Sequence, residues 1–171
     1  MGFVDATKTC LSKYATFSGR AARSEYWWFF LFVVLASMVL AVVDMSLFGT
    51  DPETGESPTI LTGLFQIAMF LPLLAAGWRR LHDTGRPGWY LLLPMLVSLV
   101  FMISVFSGIM VFGLAETHMA DPDMLRGPAA MLGGAGMLIF SIAQTALAIL
   151  MIWWLTRPSD KGSNAYGPAV V

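Results

Sequence analysis

The stretch "WRRLHDTGRPGWY", residues 78–90, holds three arginines, a histidine and an aspartate between aromatic residues, with apolar sequence on both sides. These residue types support two chemistries. A histidine with a carboxylate can move protons as a general acid or base. Guanidinium forks bind phosphate or carboxylate bidentately.

The spacing argues against the first. His82 and Asp83 are adjacent, and neighbours at i,i+1 on a helix point apart. No serine or cysteine nucleophile accompanies them. The other histidine, His118, falls in a different loop. No HxxxH, CxxC or carboxylate pair has metal-ligand spacing. His82 is left as the sole enzymatic candidate, and the sequence leans away from an enzyme.

Anion recognition has more behind it. Arg20, Arg23, Arg79, Arg80, Arg86 and Arg157 fall in three polar segments, "FSGRAARSEYWWF", "WRRLHDTGRPGWY" and "RPSDKGSNAYGP", each with glycine, base and aromatic residues. The candidate ligand- or partner-binding set is Arg20, Arg23, Glu25, Arg79, Arg80, His82, Asp83, Arg86, Trp89, Asn164 and Tyr166. In it Arg79, Arg80 and Arg86 would supply charge, Asp83 would orient them, and Trp78 and Trp89 would fix depth. A purely structural turn uses the same residues. Arg79 and Arg80 suit the negative end of a helix dipole, and Asp83 can pair with Arg79 at i,i+4 or Arg80 at i,i+3. Thr84-Gly85 and Pro87-Gly88 make a turn. The sequence leaves both readings open.

The elements that must position these residues are membrane helices. The chain has 171 residues, 57% hydrophobic and 12% charged, where a soluble domain carries about a quarter charged. Four apolar runs, approximately residues 26–48, 59–78, 89–114 and 129–156, read as transmembrane spans. The first is about 34 Å long as a helix, enough to cross a bilayer core of roughly 30 Å with some tilt. It is too long for a signal peptide and reads as a retained helix. The single cysteine, Cys10, rules out an internal disulfide.

Charge gives the orientation. Lys8, Lys13, Arg20, Arg23, Arg79, Arg80, Arg86, Arg157 and Lys161 fall on one side, and Arg126 alone on the other with Asp51, Glu53, Glu56, Glu116, Asp121 and Asp123. Cytoplasmic loops are enriched in Lys and Arg, so both termini and the middle loop are predicted to be cytoplasmic. The tryptophans (Trp27, Trp28, Trp78, Trp89, Trp153 and Trp154) all fall at that end of the spans. Before the first span, residues 3–17 read as an amphipathic helix lying in the interface, with Gly19 as its stop.

The segments "FSGRAARSEYWWF", "RRLHDTGRPGWY" and "GSNAYGP", in this order, resemble the bacterial domain-of-unknown-function 805 family of small inner-membrane proteins. The resemblance covers essentially the whole chain as four helices, and "RLHDTGRPGW" is its most specific part. It implies a multi-pass inner-membrane protein with cytoplasmic termini. It implies no activity.

Within the spans, polar groups are few. Asp44 falls near the outer end of the first span, where it is expected to reach water, and Gln144 nearer mid-membrane can bond a neighbouring helix. Pro72 and Pro94 would kink the second and third spans at similar depth. Ala129/Gly133, Ala130/Gly134 and Ser104/Gly108 have the spacing of close helix contacts.

The expectation is therefore an all-α polytopic membrane protein, a bundle of four transmembrane helices forming one integral membrane domain over residues 1–171, with an N-terminal interfacial amphipathic helix. Its cytoplasmic face recognises an anionic ligand, a lipid headgroup, or docks a partner. The alternative is a small oligomeric transporter or channel component, suggested by Pro72, Pro94 and Gln144. The expected partners are the lipid bilayer, anionic lipids, and a homo-oligomer or another membrane protein. Nucleic acid, metal and cofactor are not expected.

Overall fold

A computed structural model describes residues 1–118 and 123–169, with side chains over 1–110, 113 and 133–169. The side chains of Arg126, His118, Glu116, Asp121, Asp123, Ala129 and Ala130 lie outside the described residues. The elements are α1 (Phe3–Ser12), α2 (Arg23–Phe48), α3 (Ile60–His82), α4 (Leu93–His118, entered through a 3-10 turn over Gly88–Leu92) and α5 (Asp123–Thr156). No strand occurs among the described residues. Four helical stretches, Arg23–Phe48, Ile60–His82, Gly88–Met110 and Gly133–Thr156, are long and apolar enough to cross a membrane.

The second span runs further than its hydropathy predicts. α3 continues past Trp78 through Arg79, Arg80, Leu81 and His82, and the Asp83 amide still bonds Arg79 O at 3.1 Å. The bases therefore stand on the last turn of a helix rather than in a loop. A cation there answers the unpaired carbonyls and the negative end of the dipole.

The chain divides into two compact units, residues 1–91 with 154–171, and residues 92–153. In the first, Cys10, Tyr26, Phe29, Ala76, Leu81 and Leu155 form the buried core. Gly77 sits where an added Cβ would come within 2.7 Å of Leu91 Cδ2, so its small size brings the polypeptide close.

α1 corrects the predicted helix over residues 3–17. It ends at Ser12, with Lys13 as C-cap, well before Gly19. The reason is tertiary. Tyr14 donates its hydroxyl to Ala68 O on α3 and Phe17 packs edge-on against Trp78, ring centroids 5.5 Å apart, so the chain leaves the helix to reach α3. Ala6 and Cys10 turn inward to full burial, while Phe3 packs on Trp28 and Phe32 of α2.

Asp44 also departs from expectation. It does not reach water but is 1% exposed, accepting the amides of Leu61 and Thr62 at 2.9 Å each. Thr59, the residue before α3, makes no side-chain cap. A carboxylate from α2 thus caps α3, where unpaired N–H groups and the positive dipole end favour an anion.

In the second unit, Phe101 and Phe140 stack with centroids 4.1 Å apart, and Gln144 Nε2 donates to Pro94 O at 3.0 Å and to the Ser98 hydroxyl. Gln144 thus bonds a neighbouring helix, as the sequence suggests. Pro94 stands just after the 3-10 turn over Gly88–Leu92. It occupies the first turn of α4, where a missing N–H leaves no bond unmade. Pro72 lies buried inside α3. Ser104 bonds Val100 O of its own helix, and an added Cβ on Gly108 would meet nothing within 4 Å.

Candidate functional site

Where α3 ends, Asp83 is fully buried and collects two arginines. Its Oδ1 accepts Arg20 Nε at 2.9 Å and lies 2.9 Å from Arg20 Nη2 in the same ion pair, and its Oδ2 accepts Arg80 Nη1. Asp83 therefore pairs with Arg80 and not with Arg79. Both guanidinium groups go on to tie down backbone. Arg80 Nε donates to Leu155 O at 3.0 Å and Nη2 to Arg157 O, so it holds carbonyls at the end of α5. Arg20 donates to Asp160 O and Gly162 O, each at 2.7 Å. One carboxylate thus holds two cations that clamp the C-terminal segment onto α3. Such a buried, fully hydrogen-bonded ion cluster is costly to break at any one member.

His82 joins the same clamp. A carbonyl can only accept, so the 3.1 Å contact to Gly19 O places the proton on Nδ1. The imidazole lies flat on Tyr166, centroids 3.8 Å apart and planes 6° from parallel. Asn164 donates to His82 O at 2.9 Å and its Oδ1 accepts the Tyr166 amide at 2.9 Å. Among the described residues, no group of three His, Cys, Asp or Glu side chains could hold a metal.

The turn that follows is tightly specified. Gly85 has φ +70°, the left-handed region glycine tolerates. At Gly88 an added Cβ would lie 2.1 Å from the Trp78 ring. Arg86 lies over the Trp154 ring, 5.4 Å from its centroid, and donates to Thr84 O at 3.0 Å. Partial burial, with Arg157 nearby, draws its pKa below the usual guanidinium value. Trp89 is half exposed and meets Tyr90 edge-on; Arg23 is exposed.

Arg79 faces the other way. It is 1% exposed and forms an ion pair with Glu25, itself 3% exposed, across 3.3 Å. Nε donates to Ala75 O at 3.3 Å, but Nη1 and Nη2 have no hydrogen-bond acceptor. Cys10 Sγ lies 3.9 Å from Glu25 Oε1. Burial, and then the Glu25 carboxylate, push this thiol up to about 12, with Arg79 pulling the other way. Arg79 and Glu25 line a cavity of about 490 Å³ with Thr9, Lys13, Arg20 and Tyr166.

The sequence-derived cluster therefore divides in two. Arg20, Arg80, His82, Asp83, Asn164 and Tyr166 form the clamp. Arg79 and Glu25, with the lining faces of Arg20 and Tyr166, belong to the cavity, while Arg23, Arg86 and Trp89 are not among the residues lining it. Sequence reasoning missed Thr9, Lys13 and Cys10 as neighbours of Arg79. The signal was the apolar stripe of α1, which includes Cys10 and faces α2 and α3.

The sequence pattern of the family described as "Protein of unknown function (DUF805)" matches residues 14–168, and the chain belongs to that family. Inner membrane protein YhaH of Escherichia coli (strain K12) is 40% identical over 95 residues, covering 56% of this chain and 76% of that protein. Inner membrane protein YhaI of the same strain is 40% identical over 96 residues, covering 54% and 75%. No solved structure matches the chain.

Proposed function

We propose that this chain is a non-enzymatic inner-membrane protein, with both termini cytoplasmic, that recognises the phosphate of a lipid headgroup in the cavity beside Arg79. The observation that carries this is Arg79, which is among the residues lining a cavity of about 490 Å³ and whose Nη1 and Nη2 are buried without a hydrogen-bond acceptor. A buried donor without a partner costs about 1–3 kcal/mol. A phosphate oxygen removes that cost with charge-assisted hydrogen bonds. Basic pockets at the cytoplasmic ends of membrane helices suit lipid headgroups. The neighbouring Tyr26, Trp27, Trp28 and Trp78 are rings that favour headgroup depth. The relatives are named inner membrane proteins, and the Lys/Arg bias favours cytoplasmic termini.

In this reading Arg79 binds, Glu25 orients it, and Arg20, Arg80 and Asp83 build the frame. Native mass spectrometry of protein released from bilayers of phosphatidylethanolamine and phosphatidylglycerol tests it. The wild type is expected to retain a lipid that Arg79→Gln loses; equal retention by both overturns the reading.

A further inference from the structure

Building on that reading of the Arg79 cavity, we infer that the cavity takes a phosphodiester that also carries a primary ammonium group, with phosphate on Arg79 and ammonium on Glu25. Three cations line the cavity, but they are not equivalent. Arg20 is engaged at all three nitrogens, with Asp83 and with the carbonyls of Asp160 and Gly162. Lys13, also in the lining, is exposed. Arg79 alone presents buried donors with no acceptor.

The anion-binding position therefore has a carboxylate beside it. Glu25 Oε1 lies 3.3 Å from Arg79 Nη1 and is 3% exposed. An anion placed on Arg79 sits within the range of about 4–6 Å over which a like charge is disfavoured. A bare phosphate or a glycerol-type headgroup meets that repulsion in full. A ligand whose phosphate is joined to an ammonium converts it to attraction and offers Glu25 three N–H donors. A quaternary ammonium offers none. The cavity, about 490 Å³, falls within the roughly 300–1,000 Å³ of small-molecule sites. Thr9 and Tyr166, two uncharged polar residues, are also among its lining. The ligand is a phosphoethanolamine group, carried either by a lipid or by soluble glycerophosphoethanolamine.

Native mass spectrometry from vesicles of equal phosphatidylethanolamine, phosphatidylglycerol and phosphatidylcholine tests this. The wild type is expected to retain the ethanolamine lipid about tenfold over each of the others, the scale of one hydrogen bond to a charged group. Glu25→Gln, nearly isosteric, is expected to abolish that preference. A parallel arm offers glycerophosphoethanolamine to detergent-purified protein; Glu25-dependent binding there assigns the soluble source, and its absence beside lipid selectivity assigns the lipid. Retention that depends on Arg79 but shows no ammonium preference overturns this inference and leaves the anion reading standing. Retention indifferent to Arg79→Gln overturns both. If Arg79→Gln does not fold, selectivity unchanged in Glu25→Gln overturns the inference by itself.

Discussion

Tyr166 lies flat on His82, with ring centroids 3.8 Å apart and planes 6° from parallel, closing the C-terminal segment over the end of α3. The two residues are far apart in sequence. Asn164 donates to His82 O, and Arg20 holds Asp160 O and Gly162 O, so the segment is fastened along its length.

Tyr166→Ala is expected to loosen this segment while Tyr166→Phe leaves it in place, because the contact depends on the ring. An aromatic stack contributes about 0.5–1.5 kcal/mol beyond its burial. Amide hydrogen exchange across residues 157–169 checks it: faster exchange in the alanine variant only. Equal exchange in all three proteins would mean that the arginine contacts alone hold the segment.

Asp83→Asn is expected to be among the most damaging single changes. It leaves Arg20 and Arg80 buried with no counter-charge, and removing one member of a buried ion cluster costs about 3–5 kcal/mol. Arg20→Lys should also destabilise, since an ammonium cannot span Asp83, Asp160 O and Gly162 O in one plane. Thermal unfolding in detergent measures both. A midpoint unchanged in Asp83→Asn would contradict the clamp.

The spans and the closeness of the three polar segments were legible because hydropathy and charge report the bilayer directly. What the residues do to one another was not. "RRLHD" on a helix leaves Asp83 within reach of either arginine, and only tertiary contacts decide between them: Arg80 meets Asp83 and the carbonyls of Leu155 and Arg157, while Arg79 meets Glu25 of α2. Asp44 read as a water-facing acid because its partners, the amides of Leu61 and Thr62, are backbone groups that no side-chain pattern announces. The end of α1 was misread because Tyr14 and Phe17 keep helical spacing but are drawn to Ala68 and Trp78.

Asp44→Ala is expected to fray the start of α3 by freeing both capped amides, and Asp44→Asn to do so less, since its carbonyl oxygen can still accept one of them. Hydrogen exchange at residues 60–64 should rise in the alanine variant with the lipid retention of the Arg79 cavity unchanged. Loss of retention with unchanged exchange would contradict a capping role.

Cys10 gives a pH dependence with a defined sign. Its thiol is pushed up from 9.0 to about 12, so the folded state favours the protonated form. Its contribution to stability is complete below pH 9.0 and is lost as the pH rises toward about 12. The thiolate is the reactive species. Alkylation of the folded protein is therefore expected to stay low from neutral pH to 9, then rise sharply on denaturation. Labelling that climbs through that range like an ordinary thiol would show Cys10 to be accessible and unperturbed.

Orientation is open to a reporter test whose outcome follows from charge. Lys and Arg collect beside α1, at the end of α3 and after α5, while the connection between α2 and α3 carries Asp51, Glu53 and Glu56. The positive-inside bias predicts a cytoplasmic side for the first set. Green fluorescent protein fused after residue 169 is expected to fluoresce, because it folds in the cytoplasm. Alkaline phosphatase joined there should be inactive but active when inserted between residues 52 and 56, where disulfides can form. The reverse pattern would turn the Arg79 cavity outward, and a ligand from the cytoplasmic leaflet could then no longer reach it.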